Sequence, residues 1–450
     1  MNRRHFTFFL AFVAMSAGSH TAQAQTGILT LDECLEIALQ NNSDLDIQRD
    51  MISEITAKSE QLKKTRLPQV AIDANYVRFS DVMEMDITSR LVGLPLQLPP
   101  TYLRFGDEDN YALRGAVSQP LFTGFRLKNN IASSTEQIHV EEFALEAEIN
   151  SLVFRVKEAY YKLLYAIQAA KLIHLSLGSV DEHLKDVENL FNQGMVTQDE
   201  VLKAAIKRSE AELNVSRAGN NIMIRRQLLC DILGLPPGSE PDISEEIGVA
   251  AISVTNETAI VLAGEERPEI KQLKHQIEAL HYHADAQHGD YFPTISIIGT
   301  YEYGKPGLNK FKNDWMDHWT VGITSNWKLW DWGIRRARVQ EAKSALNRAD
   351  HSLIRLKKAI ALDVQQSTLR CEEISKQLEL FRKKREQAEE SFRLVQNKFK
   401  QGIATNTEFL DSEHEMTKSR IEEYNSIIDH NIALANYERA IGVYAKTLCK

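Results

Sequence analysis

No stretch of the 450-residue sequence holds eighteen consecutive apolar residues. A transmembrane helix is therefore not expected, and any part that crosses a bilayer must do so as strands. Cysteine is scarce. Cys34, Cys230, Cys371 and Cys449 are spaced for neither a zinc site nor a small disulfide framework. Buried thiols are the plain expectation, with their pairing left open. Positive charge is not in excess: at a net charge of −9 the chain offers no basic surface for nucleic acid. A phosphate-binding loop is missing as well. Gly299, Gly304 and Lys305 have its spacing, but Pro306 stands where Ser or Thr is required. No cofactor, no resident metal and no catalytic centre are expected.

Proline is absent from 121–191, and what fills that stretch is periodic. Leu152, Val156, Tyr160, Leu163, Ile167 and Ala170 recur at steps of three and four. Leu177, Val180, Leu184, Val187 and Phe191 resume the pattern. One helix of this length would be a rod of roughly 105 Å, whose apolar stripe needs other long helices beside it. At the start of the chain, Arg3 and Arg4 precede an apolar run over 6–15, and Ala22-Gln23-Ala24 has the small-x-small form of a cleavage site. Residues 1–24 are therefore expected to be a secretory signal peptide. No cysteine stands at that site, so N-terminal lipidation is not expected.

Residues 31–66 read as a first helix, with Thr30 and Glu33 as a capping box and Pro68 as the stop. Strand alternation follows over 70–80, a loop over 81–109 and a second strand over 110–118. The long helix comes next and breaks at 193–197. A further helix stops at Gly234, 238–267 reads as a linker or equatorial segment, and a helix follows Pro268. Then the order repeats. Leu329-Trp330-Asp331-Trp332-Gly333 stands 208 positions after the segment 121–125, and the break at 401–405 stands 208 after that at 193–197. The reading is two structural repeats. The first is 25–237, with a β-hairpin over 69–119 and a helical hairpin over 121–234. The second is 268–450, with a β-hairpin over 294–328 and a helical hairpin over 333–445.

Two strands per repeat give four per chain, and four strands in lipid leave open edges at several kcal/mol per unpaired group. The physical solution is a barrel shared between two, three or more subunits. All five tryptophans support a membrane setting: Trp315 and Trp319 flank one end of the fourth strand, and Trp327, Trp330 and Trp332 the other, as interface girdles do. Tyr301 and Tyr303 read as lipid-facing. The competing reading is a soluble sheet with its tryptophans in a core.

These residues resemble the outer-membrane efflux protein family, the TolC-like channels of Gram-negative bacteria, over nearly the whole mature chain. The resemblance is carried by the Leu-Pro or Phe-Pro before each hairpin, by Pro120-Leu121-Phe122 with Gly124, and by Trp330-Asp331-Trp332-Gly333 with Arg335 and Arg336. It is carried equally by Gly194 and Thr197 before Glu200-Val201-Leu202, and by Gly402 and Thr405 before Glu408-Phe409-Leu410. Glu200 and Glu408 stand where the family commonly has Asp, and Lys328 replaces the counterpart of Pro120.

The resemblance implies a mostly α fold with transmembrane β: a long antiparallel coiled-coil tunnel beneath a trimeric twelve-stranded barrel, in the outer membrane with a periplasmic extension. It implies a passive exit duct for an inner-membrane pump and a periplasmic adaptor protein. It also places the helix breaks at a closed periplasmic tip, making Gly194, Thr197, Asp199, Glu200, Gly402, Thr405, Glu408 and Asp411 the candidates for gating and adaptor docking. A structural account of the same residues is available, with the glycines supplying positive φ and Thr197–Glu200 and Thr405–Glu408 forming capping boxes. Carboxylates lining a cation-attracting constriction are the functional account. His281, His283 and His288 read as a solvated helix end rather than metal ligands. A conduit for type I protein secretion and a non-conducting envelope-spanning scaffold are the rival functions. Nothing in the residues specifies cargo or the pump's energy source.

Overall fold

The computed structural model describes residues 28–86, 102–236, 238–245, 247–248 and 256–444. The expected signal peptide, the middle of the 81–109 loop and Cys449 lie outside the described residues. Strand β1 (Ile28–Leu29) leads into α1 (Leu31–Asn41). Thr30 caps it: Oγ1 accepts from Glu33 N at 3.3 Å, and the Glu33 carboxylate accepts from Thr30 N at 2.7 Å. A single helix over 31–66 does not form. Asn42 is extended (φ −77°, ψ 120°), and its side chain accepts from Asp44 N at 3.0 Å, so it caps a new helix, α2 (Ser43–Lys64).

Strands β2 (Gln69–Arg78), β3 (Met83–Asp86), β4 (Tyr102–Phe105) and β5 (Asp109–Phe122) follow. The stretch expected as loop thus carries a small hairpin, with Met83 opposite Phe105 and Asp86 opposite Tyr102. Strand β5 also runs past the expected boundary and takes in Pro120, Leu121 and Phe122, so the long helix starts later, as α3 (Arg126–Asn192). The register slips between Pro120, opposite Ser296, and Phe122, opposite Ile295, and a bulge of this kind is where a strand admits proline.

Helix α4 (Gln198–Leu233), strand β6 (Asp242–Ile243), helices α5 (Asn256–Glu266) and α6 (Pro268–His288), strands β7 (Thr294–Lys305) and β8 (Met316–Asn326), and helices α7 (Ile334–Lys400) and α8 (Asn406–Ile441) complete the chain. The expected linker over 238–267 therefore contains β6, which pairs in parallel with β1, and α5. Beside the main sheet stand two small two-stranded ones, so the described strands number more than the four expected.

The main sheet is antiparallel in the order β2-β5-β7-β8. Helices enter and leave it in step. Helix α2 feeds β2, β5 feeds α3, α6 feeds β7 and β8 feeds α7, and these helices pack in the same sequence, α2-α3-α6-α7. Farther from the sheet the order is α4-α3-α8-α7. Helices α3 and α7, 67 residues each, run through both levels. The molecule is a long slab four elements wide, with β2, α2 and α4 along one edge and β8 and α7 along the other.

Helix α3 is, among the described residues, the one helix long and apolar enough to cross a membrane. It packs instead against α2 and α6 near the sheet and α4 and α8 beyond. Its seam joins Leu152, Val156, Leu163 and Leu164 to Leu35, Leu229, Leu233 and Ile428. A second cluster joins Ile270, Ile360, Val364 and Ile374 to Tyr437. Cys34, Cys230 and Cys371 are buried and free; burial pushes the Cys34 thiol up to about 12 and that of Cys371 up to about 11, which leaves them inert.

Each strand-to-helix elbow uses two consecutive left-handed residues, Gly124 and Phe125 (φ 62° and 64°) and Trp332 and Gly333 (φ 58° and 86°). At the first elbow the chain passes against the end of α6, and a Cβ on Gly124 would lie 2.3 Å from the Gly289 carbonyl oxygen. Gly124→Ala is expected to cost about 1–3 kcal/mol through strain at positive φ alone, with the clash added to it. A denaturant titration of this variant against wild type measures the loss.

Candidate functional site

The sheet presents two unlike faces. Cross-strand register sets Val70, Val117, Gly299 and Val321 in one row, and Ile72, Gly115, Tyr301 and Trp319 in the next. Both rows are apolar, and Ile72 is 76% and Val321 66% exposed. On the opposite face, one row is Ala71, Ala116, Thr300 and Thr320, with the two hydroxyls 2.6 Å apart. The next row is Asp73, Arg114, Glu302 and His318. Asp73, Arg114 and Glu302 form no ion pair among the described residues.

All five tryptophans are exposed, so they do not form a core. Trp315 stacks on Tyr303 at 5.0 Å, and Trp319 lies within β8. Beyond the other end of β8, Trp327 Nε1 donates to Tyr291 O at 3.1 Å, and Trp330 meets Trp332 edge-on at 5.7 Å. Asp331 fixes this elbow by accepting from Gly333 N, Arg335 N and Arg335 Nε. The result is a rigid turn that holds Trp332 87% exposed.

At the far end of the slab, Gly194 and Gly402 take φ of 76° and 72° and end α3 and α7. Equivalent bonds close both turns, Met195 N to Leu190 O and Ile403 N to Lys398 O, each 2.9 Å. The two helix starts that follow are not alike. Thr405 and Glu408 form the expected capping box, and hydrogen bonds from Thr405, backbone first, hold the Glu408 carboxyl below the usual carboxylate range. Thr197 makes no side-chain cap bond. Its expected partner Glu200 turns away, one oxygen pairing with Lys203 at 2.9 Å and the other accepting from Asn406 Nδ2 at 3.0 Å. These bonds, that to Lys203 first, hold the Glu200 carboxyl low as well. The same Asn406 nitrogen donates to Glu200 O at 3.1 Å. Asp199 pairs with Lys203 at 2.7 Å. Asp411 lies apart from these, lining with Lys207, Glu210, Arg217, His414 and Lys418 a cavity of about 610 Å³ between α3, α4 and α8.

One residue of this end was not among the sequence candidates. His183 on α3 is 2% exposed, stacks flat on Phe409 at 3.9 Å, and sets Nε2 2.6 Å from Asn406 Oδ1. Its only signal was a polar residue three after Val180 and four before Val187 in an apolar seam. Among the described residues no group of three or more His, Cys, Asp or Glu is arranged to hold a metal ion. His281 faces Asp285 at 3.6 Å and His288 leans on Tyr291.

The sequence model of the outer membrane efflux protein family matches residues 34–235 and 259–443. The outer membrane efflux protein BepC of Brucella suis biovar 1 is 20% identical over 233 residues, 52% of this chain and 50% of that protein. The alkaline protease secretion protein AprF of Pseudomonas aeruginosa is 22% identical over 250 residues, 55% of this chain and 52% of that protein. The chain thus aligns with about half the length of these curated relatives. In fold it is similar to the outer membrane channel CmeC of Campylobacter jejuni, with a TM-score of 0.77 at 14% identity, covering 92% of this chain and 85% of that one. The chain belongs to the outer membrane efflux protein family, and its place is the outer membrane.

Proposed function

We propose that three copies of this chain form a passive exit duct: a twelve-stranded barrel in the outer membrane, continued by a tunnel of twelve long helices. The observation that carries this reading is the pair of sheet faces. An apolar face of Val70, Ile72, Tyr301, Trp319 and Val321 suits hydrocarbon, whereas Asp73, Arg114, Glu302 and His318 on the reverse need water. A four-stranded sheet cannot separate lipid from water unless its edges meet those of other copies. A solid envelope-spanning scaffold gives no reason for the charged row.

The chain's two repeats, each a β-hairpin followed by a helical hairpin, then supply equivalent sixths of one wall. Trp315 sits at the outer membrane interface and Trp327, Trp330 and Trp332, with Leu329, at the periplasmic one, while Trp319, inside β8 and two residues from Val321, faces the hydrocarbon. The tip residues Gly194, Thr197, Asp199, Glu200, Gly402, Thr405, Glu408 and Asp411 form the gate region and the docking end for a periplasmic adaptor, behind which an inner-membrane pump supplies the energy. Export of small molecules in such a tripartite assembly is the leading reading. Type I polypeptide secretion is the second, because one relative is a protease secretion protein.

Single-channel recording of the purified protein in planar bilayers, with native mass determination on the same sample, tests this. The expected result is a trimer giving small, rare, cation-selective openings. Replacing Glu200 and Glu408 together by Gln is expected to lower cation selectivity or lengthen the openings. A trimer indifferent to both changes would place the constriction elsewhere, and a monomer without conductance would end the duct reading.

A further inference from the structure

We propose that His183, Asn406 and Glu200 form an acid-released latch between the two helical hairpins, with His183 as its positioning residue. Only the effect on flow rests on the tip reading above; the latch itself rests on its own contacts. Asn406 sends its amide nitrogen to two oxygens of Glu200, the carbonyl at 3.1 Å and the carboxylate at 3.0 Å. That fixes the amide orientation and leaves Oδ1 facing His183 as an acceptor. His183 Nε2, 2.6 Å away, therefore carries the hydrogen. The chain of bonds runs from α3 through α8 to α4 and ties residues more than two hundred positions apart.

The tautomer so fixed leaves Nδ1 as a bare lone pair, and Nδ1 is buried without a hydrogen-bond partner. A second proton can enter only there. In the latched state it would form an imidazolium enclosed by Phe409 and Phe399, at 3.9 and 4.7 Å, with nothing to accept its hydrogen. The charged groups about it are Asp186 on its own helix and, through Asn406, Glu200 with Lys203 on α4. Helices α7 and α8 present Phe399, Phe409 and Leu410. Burial outweighs the Asn406 hydrogen bond and Asp186 and holds the imidazole below its ordinary value.

If the hairpins part, Nδ1 meets water and the ring titrates near 6.5. The open state then binds the proton more tightly than the latched one. The latch is at full strength above that value and weakens as pH falls below it. The device occurs once per chain, because the positions 208 after His183 and 208 before Asn406 hold Ser391 and Gln198.

Hydrogen exchange of residues 402–413 in the detergent-solubilised trimer, followed between about pH 5 and pH 8 and corrected for intrinsic rates, tests the latch. Wild-type protection is expected to fall below about pH 6.5, with a limiting slope of about tenfold per unit for one proton. His183→Gln keeps a donor for Asn406 Oδ1 but cannot be charged, and its protection is expected to be flat across the range. Asn406→Ala is expected to exchange fast throughout. A wild-type profile as flat as that of His183→Gln would overturn the proposal. Single-channel recording at the same pH values separates the two readings. Acid opening that His183→Gln abolishes supports both, whereas an exchange change without any change in conductance upholds the latch and moves the gate away from the tip.

Discussion

Val321→Lys is expected to destabilise the membrane-inserted protein by about 2–4 kcal/mol, while Thr320→Lys, one residue away, stays within about 0.5 kcal/mol of wild type. Val321 has five strand residues on either side in β8, which puts it near the midplane if β8 spans the bilayer. It shares its row with Val70, Val117 and Gly299, so a lysine there has neither water nor a counter-charge within the row. Thr320 points the other way, beside the row that already carries Asp73, Arg114, Glu302 and His318. Because strand side chains alternate, one step along the chain exchanges hydrocarbon for water. Guanidinium unfolding from lipid vesicles, read by tryptophan fluorescence, gives both values. Equal losses for the two variants would mean that the sheet does not divide lipid from lumen.

Ile206→Asp combined with Leu213→Asp is expected to leave monomers. Leu202, Ile206, Leu213, Ile224 and Leu228 form one exposed stripe on α4. Ile354, Leu362, Leu369, Leu380 and Leu394 form another on α7. These helices lie on opposite edges of the slab and do not pack on each other. Their stripes therefore face outward, and a heterologous contact, α4 of one copy on α7 of the next, covers both and closes a ring. Each covered Leu or Ile contributes about 1.5–3 kcal/mol, so the double change removes about 3–6 kcal/mol from every seam before the cost of desolvating two carboxylates. Sedimentation in detergent distinguishes trimer from monomer. Leu175→Asp, exposed on the central helix α3 rather than at an edge, is expected to leave the trimer whole. If it dissociates the assembly equally, the seam lies elsewhere.

The helical part of the fold was legible because a long seam repeats. Leu152, Val156, Tyr160 and Leu163 were read from spacing alone and are all buried. Toward the tip the same pattern misled. Burial there passes through Val180, His183 and Val187, while Leu184 is half-exposed and Phe191 exposed, because the facing α8 and α7 offer Asn406, Phe409 and Phe399 as partners. Spacing reports how often a face returns, not what it meets. The break at Asn42 was hidden for a different reason: a side-chain cap within an otherwise helical run leaves the apolar period nearly undisturbed. Pro120 looked like a boundary because a proline lacks the ladder donor, yet the bulge beside it makes that donor unnecessary. Thr197 and Thr405 each stand three before a glutamate, and it is Asn406 of the neighbouring α8 that draws Glu200 across while Glu408 bonds back to its own cap.

Among the described residues, strands β2 and β8, at the two margins of the slab, each have one side without a hydrogen-bonded neighbour. If other copies complete the sheet as proposed, the chain's folding is governed by mass action as much as by sequence. Its unfolding midpoint should rise with protein concentration, as for any obligate oligomer. A newly arrived copy is also most vulnerable in the interval before it meets two others, when each bare margin is a template for indiscriminate strand addition. Abundance and timing of synthesis thus become determinants of yield in their own right, and a cell that makes this chain slowly and sparsely would be expected to lose more of it to proteolysis per molecule than one that makes it in bursts.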